Sequence, residues 1–187
     1  DWVYSKGVPF FIAAGNDASG LRHYSGTVGA SSSTAFIQVN VSGAQTNGTQ
    51  LRFNLVWYVP VGGTPTSLTL QYYDGSQNPL ANVINQSTTT STRGTRSQFS
   101  TNNAYVPAGA STYYLKVFNS SAATQAFHIY EDFGDGKVTF TNADRSYTIA
   151  QPASADHAVA VAAFLSRKSW TAYDGVTYQI GNLNGVS

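Results

Sequence analysis

The chain has 187 residues, enough for one good core or for one domain plus pieces of another. Ten Lys and Arg against nine Asp and Glu leave a net charge of +1, which excludes the electrostatic footprint of a nucleic-acid binder. Charged residues make up only 10% of the chain, against about 25% in a typical globular protein. Ser, Thr, Gly, Asn, Gln and Tyr supply the polarity instead, a mix that suits a β-rich extracellular protein. Cysteine and methionine are both absent. That excludes disulfides and thiol chemistry and fits an oxidising or hot environment. A start without methionine implies a longer reading frame or processing. No apolar run approaches the ~20 residues of a membrane helix. The chain carries no signal-peptide pattern, although a signal could have been removed upstream. We expect a secreted protein with no nucleic-acid and no membrane partner.

Residues 1–24 read as a short α/β segment. Asp1-Trp-Val-Tyr-Ser-Lys-Gly7 has the look of the last turns of a helix, with Gly7 as a left-handed cap and Lys6 near the negative end of the dipole. Val8-Pro-Phe-Phe-Ile-Ala-Ala14 is continuously apolar, the pattern of a parallel strand covered on both faces. Gly15 and Asn16 follow at its carboxyl end, where ligand sites lie in such sheets.

Residues 25–140 change character to alternating segments between turn signals, as in an antiparallel β-sandwich or jelly roll. Thr34 to Val41 alternates with Phe36 out of phase, and Leu51 to Tyr58 alternates more clearly. Ser67 to Tyr73 runs into the turn dipeptide Asp74-Gly75. Thr112 to Phe118 and Gln125 to Tyr130 read as an antiparallel pair joined at Asn119-Ser-Ser-Ala-Ala. The Ser/Thr-rich run from Gln86 to Gly94 reads as an exposed loop.

Residues 141–187 return to the first style. Tyr147-Thr-Ile-Ala-Gln-Pro152 reads as a short strand meeting a proline, and Ala158 to Phe164 as a buried apolar strand. Ser166 to Ser187 is polar and Gly-rich.

Two blocks together carry a family resemblance. Gly7-Val-Pro-Phe-Phe-Ile-Ala-Ala-Gly-Asn16 resembles the strand of subtilisin-like serine proteases that ends in the oxyanion-hole asparagine. Tyr147-Thr-Ile-Ala-Gln-Pro-Ala-Ser-Ala-Asp-His-Ala-Val-Ala-Val-Ala-Ala163 resembles that family's next block, which lines and supports the specificity pocket. More than a hundred residues separate them here, whereas ordinary members keep them close. The resemblance therefore implies a β-sandwich inserted between short α/β segments of a subtilisin-like fold. More loosely, Leu51-Arg-Phe-Asn-Leu-Val-Trp57 and Tyr114-Leu-Lys-Val-Phe118 resemble the jelly-roll modules of secreted members. The resemblance implies that Asn16 is the catalytic oxyanion donor, a neutral amide held about 3 Å from the developing charge. It implies that Ala13, Ala14 and Gly15 wall the substrate pocket and that Ala150 floors it where many members have glycine. It also makes Gln151–Pro152 a candidate cis bond.

The departures matter as much. The family's Asp, His and Ser motifs are absent, and His23, His128 and His157 lie in none of their contexts. His23 lies close to Asn16 and Asp17 in sequence, but no pattern makes a triad of them. The chain alone should not hydrolyse peptides. Its expected partners are a polypeptide substrate and the remainder of the catalytic domain.

Other features keep two readings each. Asp132, Asp135 and Asp144 are candidates for a calcium site or a solvated turn, and the carbonyls after Pro152 are candidates for a weak cation; no cofactor is certain. Trp57, Tyr58, Tyr72, Tyr73, Tyr113 and Tyr114 make either core or a platform for glycan or peptide, and neighbours on a strand must split between faces. Asn40, Asn47, Asn85 and Asn119 match the glycosylation pattern. A secreted, non-catalytic β-sandwich that binds glycan or protein is the alternative to a protease segment.

Overall fold

The computed structural model describes residues 5–8, 10–13, 20–42, 50–60, 62–63, 66–81, 83–90, 94–102, 111–132, 138–148, 158–161, 169–171 and 175–179. The chain divides into two compact units, one of Asp1–Ser19 with Thr148–Ser187 and one of Gly20–Tyr147. The strands are, in order, β1 (Phe10–Ala13), β2 (His23–Val28), β3 (Ser32–Ser33), β4 (Ile37–Val41), β5 (Arg52–Tyr58), β6 (Leu68–Tyr73), β7 (Val83–Asn85) and β8 (Thr89–Thr90). They continue as β9 (Thr95–Asn102), β10 (Ser111–Asn119), β11 (Gln125–Glu131), β12 (Val138–Phe140), β13 (Ala158–Val161), β14 (Ser169–Thr171) and β15 (Thr177–Gln179).

The unit of Gly20–Tyr147 is built from two antiparallel sheets. In the first, β2, β11, β5, β9 and β7 are neighbours in that order, and β8 also pairs with β9. In the second, β12, β4, β10 and β3 follow one another, and β6 takes the other side of β10. Strict alternation makes one face of each sheet apolar. Phe53, Leu55 and Trp57 of β5 and Phe127 and Ile129 of β11 point inward from the first sheet. Val39, Leu68, Leu70, Tyr72, Leu115 and Val117 do so from the second. All belong to a single core cluster, and aromatic rings meet across it: Phe53 with Tyr72 at 5.9 Å, Phe53 with Phe140 at 5.6 Å and Tyr24 with Phe140 at 5.8 Å. Two half-buried sheets closing on one shared core make a sandwich-like arrangement.

One expected pairing is corrected. β10 and β11 do not form a hairpin. β10 pairs with β3, β4 and β6, and β11 pairs with β2 and β5. The chain changes sheet at seven of the ten connections from β2 to β12, and the Asn119–Ala123 segment is one of these crossings between layers. Asn119 fixes that crossing. It is fully buried, its amide donates to Gly29 O (3.0 Å) and Ala123 O (2.7 Å), and its carbonyl accepts from Ser121 N (2.9 Å). That burial and full use of the amide remove Asn119 from the glycosylation candidates.

The expected loop from Gln86 to Gly94 is in part a strand, since Thr89 and Thr90 pair with Ser97 and Arg96. Gly94 closes this segment with a left-handed backbone (φ +87°), and its carbonyl accepts from Val59 N at 3.0 Å. A Cβ there would lie 2.0 Å from Val59 O, so only glycine permits the approach.

In the other unit, β1 and β13 pair in parallel, with Phe10 opposite Ala158 and Ala13 opposite Val161. β14 and β15 form an antiparallel hairpin. Of the expected helix over residues 1–7 only the end is described: Ser5 is helical, Lys6 and Gly7 turn, and Gly7 takes φ +71°. The α part of the expected α/β flanks therefore has no full helix among the described residues. Thr148 is not in a strand, and residues 149–152 lie outside the described residues.

Candidate functional site

Of the residues expected to form a substrate site, Ala13 ends β1 opposite Val161. Ala14, Gly15, Asn16 and Ala150 lie outside the described residues, as do Asp17, Pro152 and His157. The pairing nonetheless brings the strand that leads to Asn16 into register with the apolar strand of the second block. Phe11 faces the same side as Val159 and Val161, and all three are largely exposed, at 64%, 46% and 49%. Among the described residues this parallel pair leaves an apolar face exposed, whereas parallel sheets are ordinarily covered on both faces.

The described polar site lies on the outer face of the first sheet. β2 and β11 are antiparallel neighbours with His23 opposite Tyr130 and Ser25 opposite His128. Phe127 and Ile129 point inward, so His128 and Tyr130 point outward, beside His23 and Ser25. The chain after β12 then folds over them. Asp144 N donates to His23 O (2.8 Å), His23 Nδ1 lies 3.0 Å from Asp144 O, and Ser25 Oγ donates to Asp144 Oδ2 (2.6 Å). Tyr130 OH donates to Tyr147 O (3.1 Å), and the His128 and Tyr147 rings meet edge to face at 5.2 Å. His23 is consequently 1% exposed on a face that would otherwise meet water.

His23 Nε2 and His128 Nδ1 are 2.9 Å apart. A backbone carbonyl only accepts, so His23 carries its proton on Nδ1 and turns the Nε2 lone pair to His128, which donates from Nδ1. Burial, and then the neighbouring His23, hold the His128 imidazole below its ordinary range, against the opposing pull of Asp144. Bonds from Ser25 and Ser146 hold the Asp144 carboxyl below the usual carboxylate range. Burial, then Asp144, pushes the Tyr130 phenol up. This is a closed hydrogen-bond network and not a nucleophile with its base, because Asp144 meets the imidazole through its backbone carbonyl and holds Ser25 with its carboxylate. Sequence reading missed it, since His23 and His128 are 105 positions apart. The usable signal was the phase of His128, between two core positions of one strand.

The two calcium candidates among the described residues, Asp132 and Asp144, have separate partners. Asp132 accepts from Asn54 Nδ2 (2.9 Å) and pairs with Arg52 at 3.5 Å, whereas Asp144 belongs to the histidine network. Asp135 lies outside the described residues, and among those described no three His, Cys, Asp or Glu gather as metal ligands.

The six strand aromatics divide evenly. Trp57, Tyr72 and Tyr113 are core, while Tyr58, Tyr73 and Tyr114 are not. Tyr73 and Tyr114 meet the out-of-phase Phe36 edge to face on the outer side of the second sheet (5.0 and 5.6 Å), and Lys116 Nζ sits 4.2 Å from the Phe36 ring centre.

No protein-family model matches the sequence, and no curated protein matches it. Among solved structures the chain is similar to the CspB protease of Clostridium perfringens, at a TM-score of 0.49 and 12% identity, covering 76% of this chain and 32% of that one. The chain thus spans about a third of the length of that protease.

Proposed function

We propose that this chain is part of a secreted subtilisin-like serine endopeptidase. In it Asn16 donates to the oxyanion, Ala13, Ala14, Gly15 and Ala150 shape the substrate pocket, and the remainder of the catalytic domain brings the Asp, His and Ser. The observation that carries this reading is the parallel register of β1 with β13. Two blocks that resemble neighbouring blocks of one protease pair directly, although Gly20–Tyr147 folds as its own compact unit between them. The exposed Phe11, Val159 and Val161 face is where further catalytic-domain structure would pack. The sandwich-like unit is then a jelly-roll-type insertion. No helix among the described residues is long and apolar enough to cross a membrane.

The test is Asn16→Ala in the complete enzyme, with both triad-bearing flanks present. The expected outcome is a fall in kcat of about 10²–10³-fold with little change in KM, a magnitude taken over from subtilisin itself. Near-normal turnover refutes the assignment. The Phe36, Tyr73 and Tyr114 cluster with Lys116 favours a second reading, a glycan-binding module, because ring edges and a cation on an outer sheet face are not needed by the core. Oligosaccharide titration that is unaffected by Tyr73→Ala and Tyr114→Ala would dispose of it.

A further inference from the structure

We propose that the His23–His128 pair is an acid-sensitive latch on the segment Ala143–Tyr147, which carries the chain out of the sandwich-like unit. The pair can hold one extra proton and keep its bridge, because either ring may be the charged one while the other presents a lone pair. It cannot hold two. Both facing nitrogens would then bear hydrogen across 2.9 Å, and two cationic rings would lie with centroids 5.1 Å apart. No acceptor would remain between them.

The two rings have unequal ways out. His128 is only half-buried and can turn to water, giving up its edge contact with Tyr147. His23 is sealed between the Tyr130 ring, stacked at 4.5 Å, and the covering segment. Its Nε2–H, deprived of His128, is left without its acceptor beneath that cover, and is exposed to water when the cover lifts. Lifting it breaks the bonds of Asp144 to His23 and Ser25, and then the bond of Tyr130 to Tyr147. Tyr147 already holds a left-handed backbone there (φ 55°), unfavourable for a bulky residue.

The charged and titratable groups around the pair come from every neighbouring element. Asp144 and Arg145 come from the covering segment, with Tyr147 at its end. Tyr130 lies on β11, and Arg22 and Glu131, 3.9 Å apart, flank β2 and end β11. Across from His128 and Tyr130, β5 offers uncharged Val56 and Asn54, with Arg52 engaged by Asp132. Asp144 is an anion bonded into the network, and its carboxyl titrates below the usual range. It therefore stays ionised where His128 takes up a proton.

The test is amide hydrogen exchange on the 187-residue chain at pH 7.0 and pH 4.5, corrected for intrinsic rates. The Asp144 amide, bonded to His23 O, should lose at least tenfold protection relative to Val39 and Leu115. In His128→Gln, which cannot titrate, that loss should shrink below threefold. Unchanged relative protection in the unmodified chain, or the same tenfold loss in His128→Gln, overturns the latch. Should that variant fail to fold, nitrogen-15 ring shifts of the unmodified chain at pH 7.0 decide. Both histidines must show the Nδ1–H tautomer, and finding Nε2–H on both overturns the proposal.

Discussion

Asn119→Ala tests whether one buried amide holds the crossing from β10 to β11. The substitution removes three hydrogen bonds, to Gly29 O, Ala123 O and from Ser121 N. Each such bond contributes about 1 kcal/mol net, so the loss starts near ~3 kcal/mol. Gly29 and Ala123 are exposed, so water can reach their freed carbonyls, and the expected cost is about 2–3 kcal/mol rather than more. Asn119→Asp should cost more at neutral pH. It keeps the acceptor for Ser121 N but sets a buried carboxylate against two carbonyls, and its deficit should shrink in acid as the carboxyl protonates. Urea unfolding followed by fluorescence in a Trp2→Phe, Trp170→Phe background leaves Trp57, buried in the core, as the reporter of this unit. With a slope of about 2 kcal/mol per molar, Asn119→Ala should lower the midpoint by roughly 1–1.5 M. A shift below about 0.3 M, or an Asp variant more stable than the Ala variant at pH 7, would refute the assignment of the crossing to this side chain.

Gly94→Ala should cost at least about 2 kcal/mol in the same assay, because the left-handed backbone resists a Cβ and Val59 O blocks it. Leu115→Ala, at a fully buried position facing the other sheet, should cost about 2–5 kcal/mol. The stability of this unit should also fall with acid in two stages. The His128 pKa is depressed by folding, so its contribution is complete above the unfolded value of about 6.5 and is lost as pH drops through the folded one. Asp74, bonded by Asn78 and Ser76, and Asp144 are depressed as well, so their contributions vanish only below about pH 3.8. Urea midpoints at pH 7.5, 5 and 3 check both stages, and a midpoint that rises between pH 7.5 and 5 contradicts the first.

The legible strands are those with a run of apolar residues at successive inward positions. β5 alternates Phe53, Leu55 and Trp57 inward, β6 Leu68, Leu70 and Tyr72, β10 Tyr113, Leu115 and Val117, and β11 Phe127 and Ile129. β9 was not legible, because its inward positions include Gln98 and Ser100, both buried, and hydrophobic periodicity has nothing there to detect. β2 escaped for a related reason: Tyr24, Gly26 and Val28 face the core, and the glycine interrupts the pattern where Phe127 packs against it. Pairing was less legible than strand position. β10 and β11 are adjacent alternating runs joined by five turn-forming residues, the local signature of a hairpin. What sends them to different sheets is the Asn119 amide and the competition of distant partners for each edge, and neither is a local property of the chain.

The same distinction separates the two sites. The proposal for Asn16 rests on a local pattern, Ala-Ala-Gly-Asn after an apolar strand, and the register of β1 with β13 pairs that strand with the second block. The histidine network has no local pattern at all. It exists because β2 lies against β11, which places Tyr130 opposite His23, and because Asp144 returns over both. Its members come from β2, where the chain enters the sandwich-like unit, from the segment by which it leaves, and from β11, which lies beside β2. A residue set joined in this way stabilises the closure of the inserted unit's own ends. Substitutions in it should therefore first change how firmly Ala143–Tyr147 is held, whereas on the proposed protease reading Asn16→Ala should change turnover alone. If His128→Gln loosens the exit segment while the complete enzyme keeps its kcat, the two sites are independent. If kcat falls with it, fixing that exit is part of how the insertion serves catalysis.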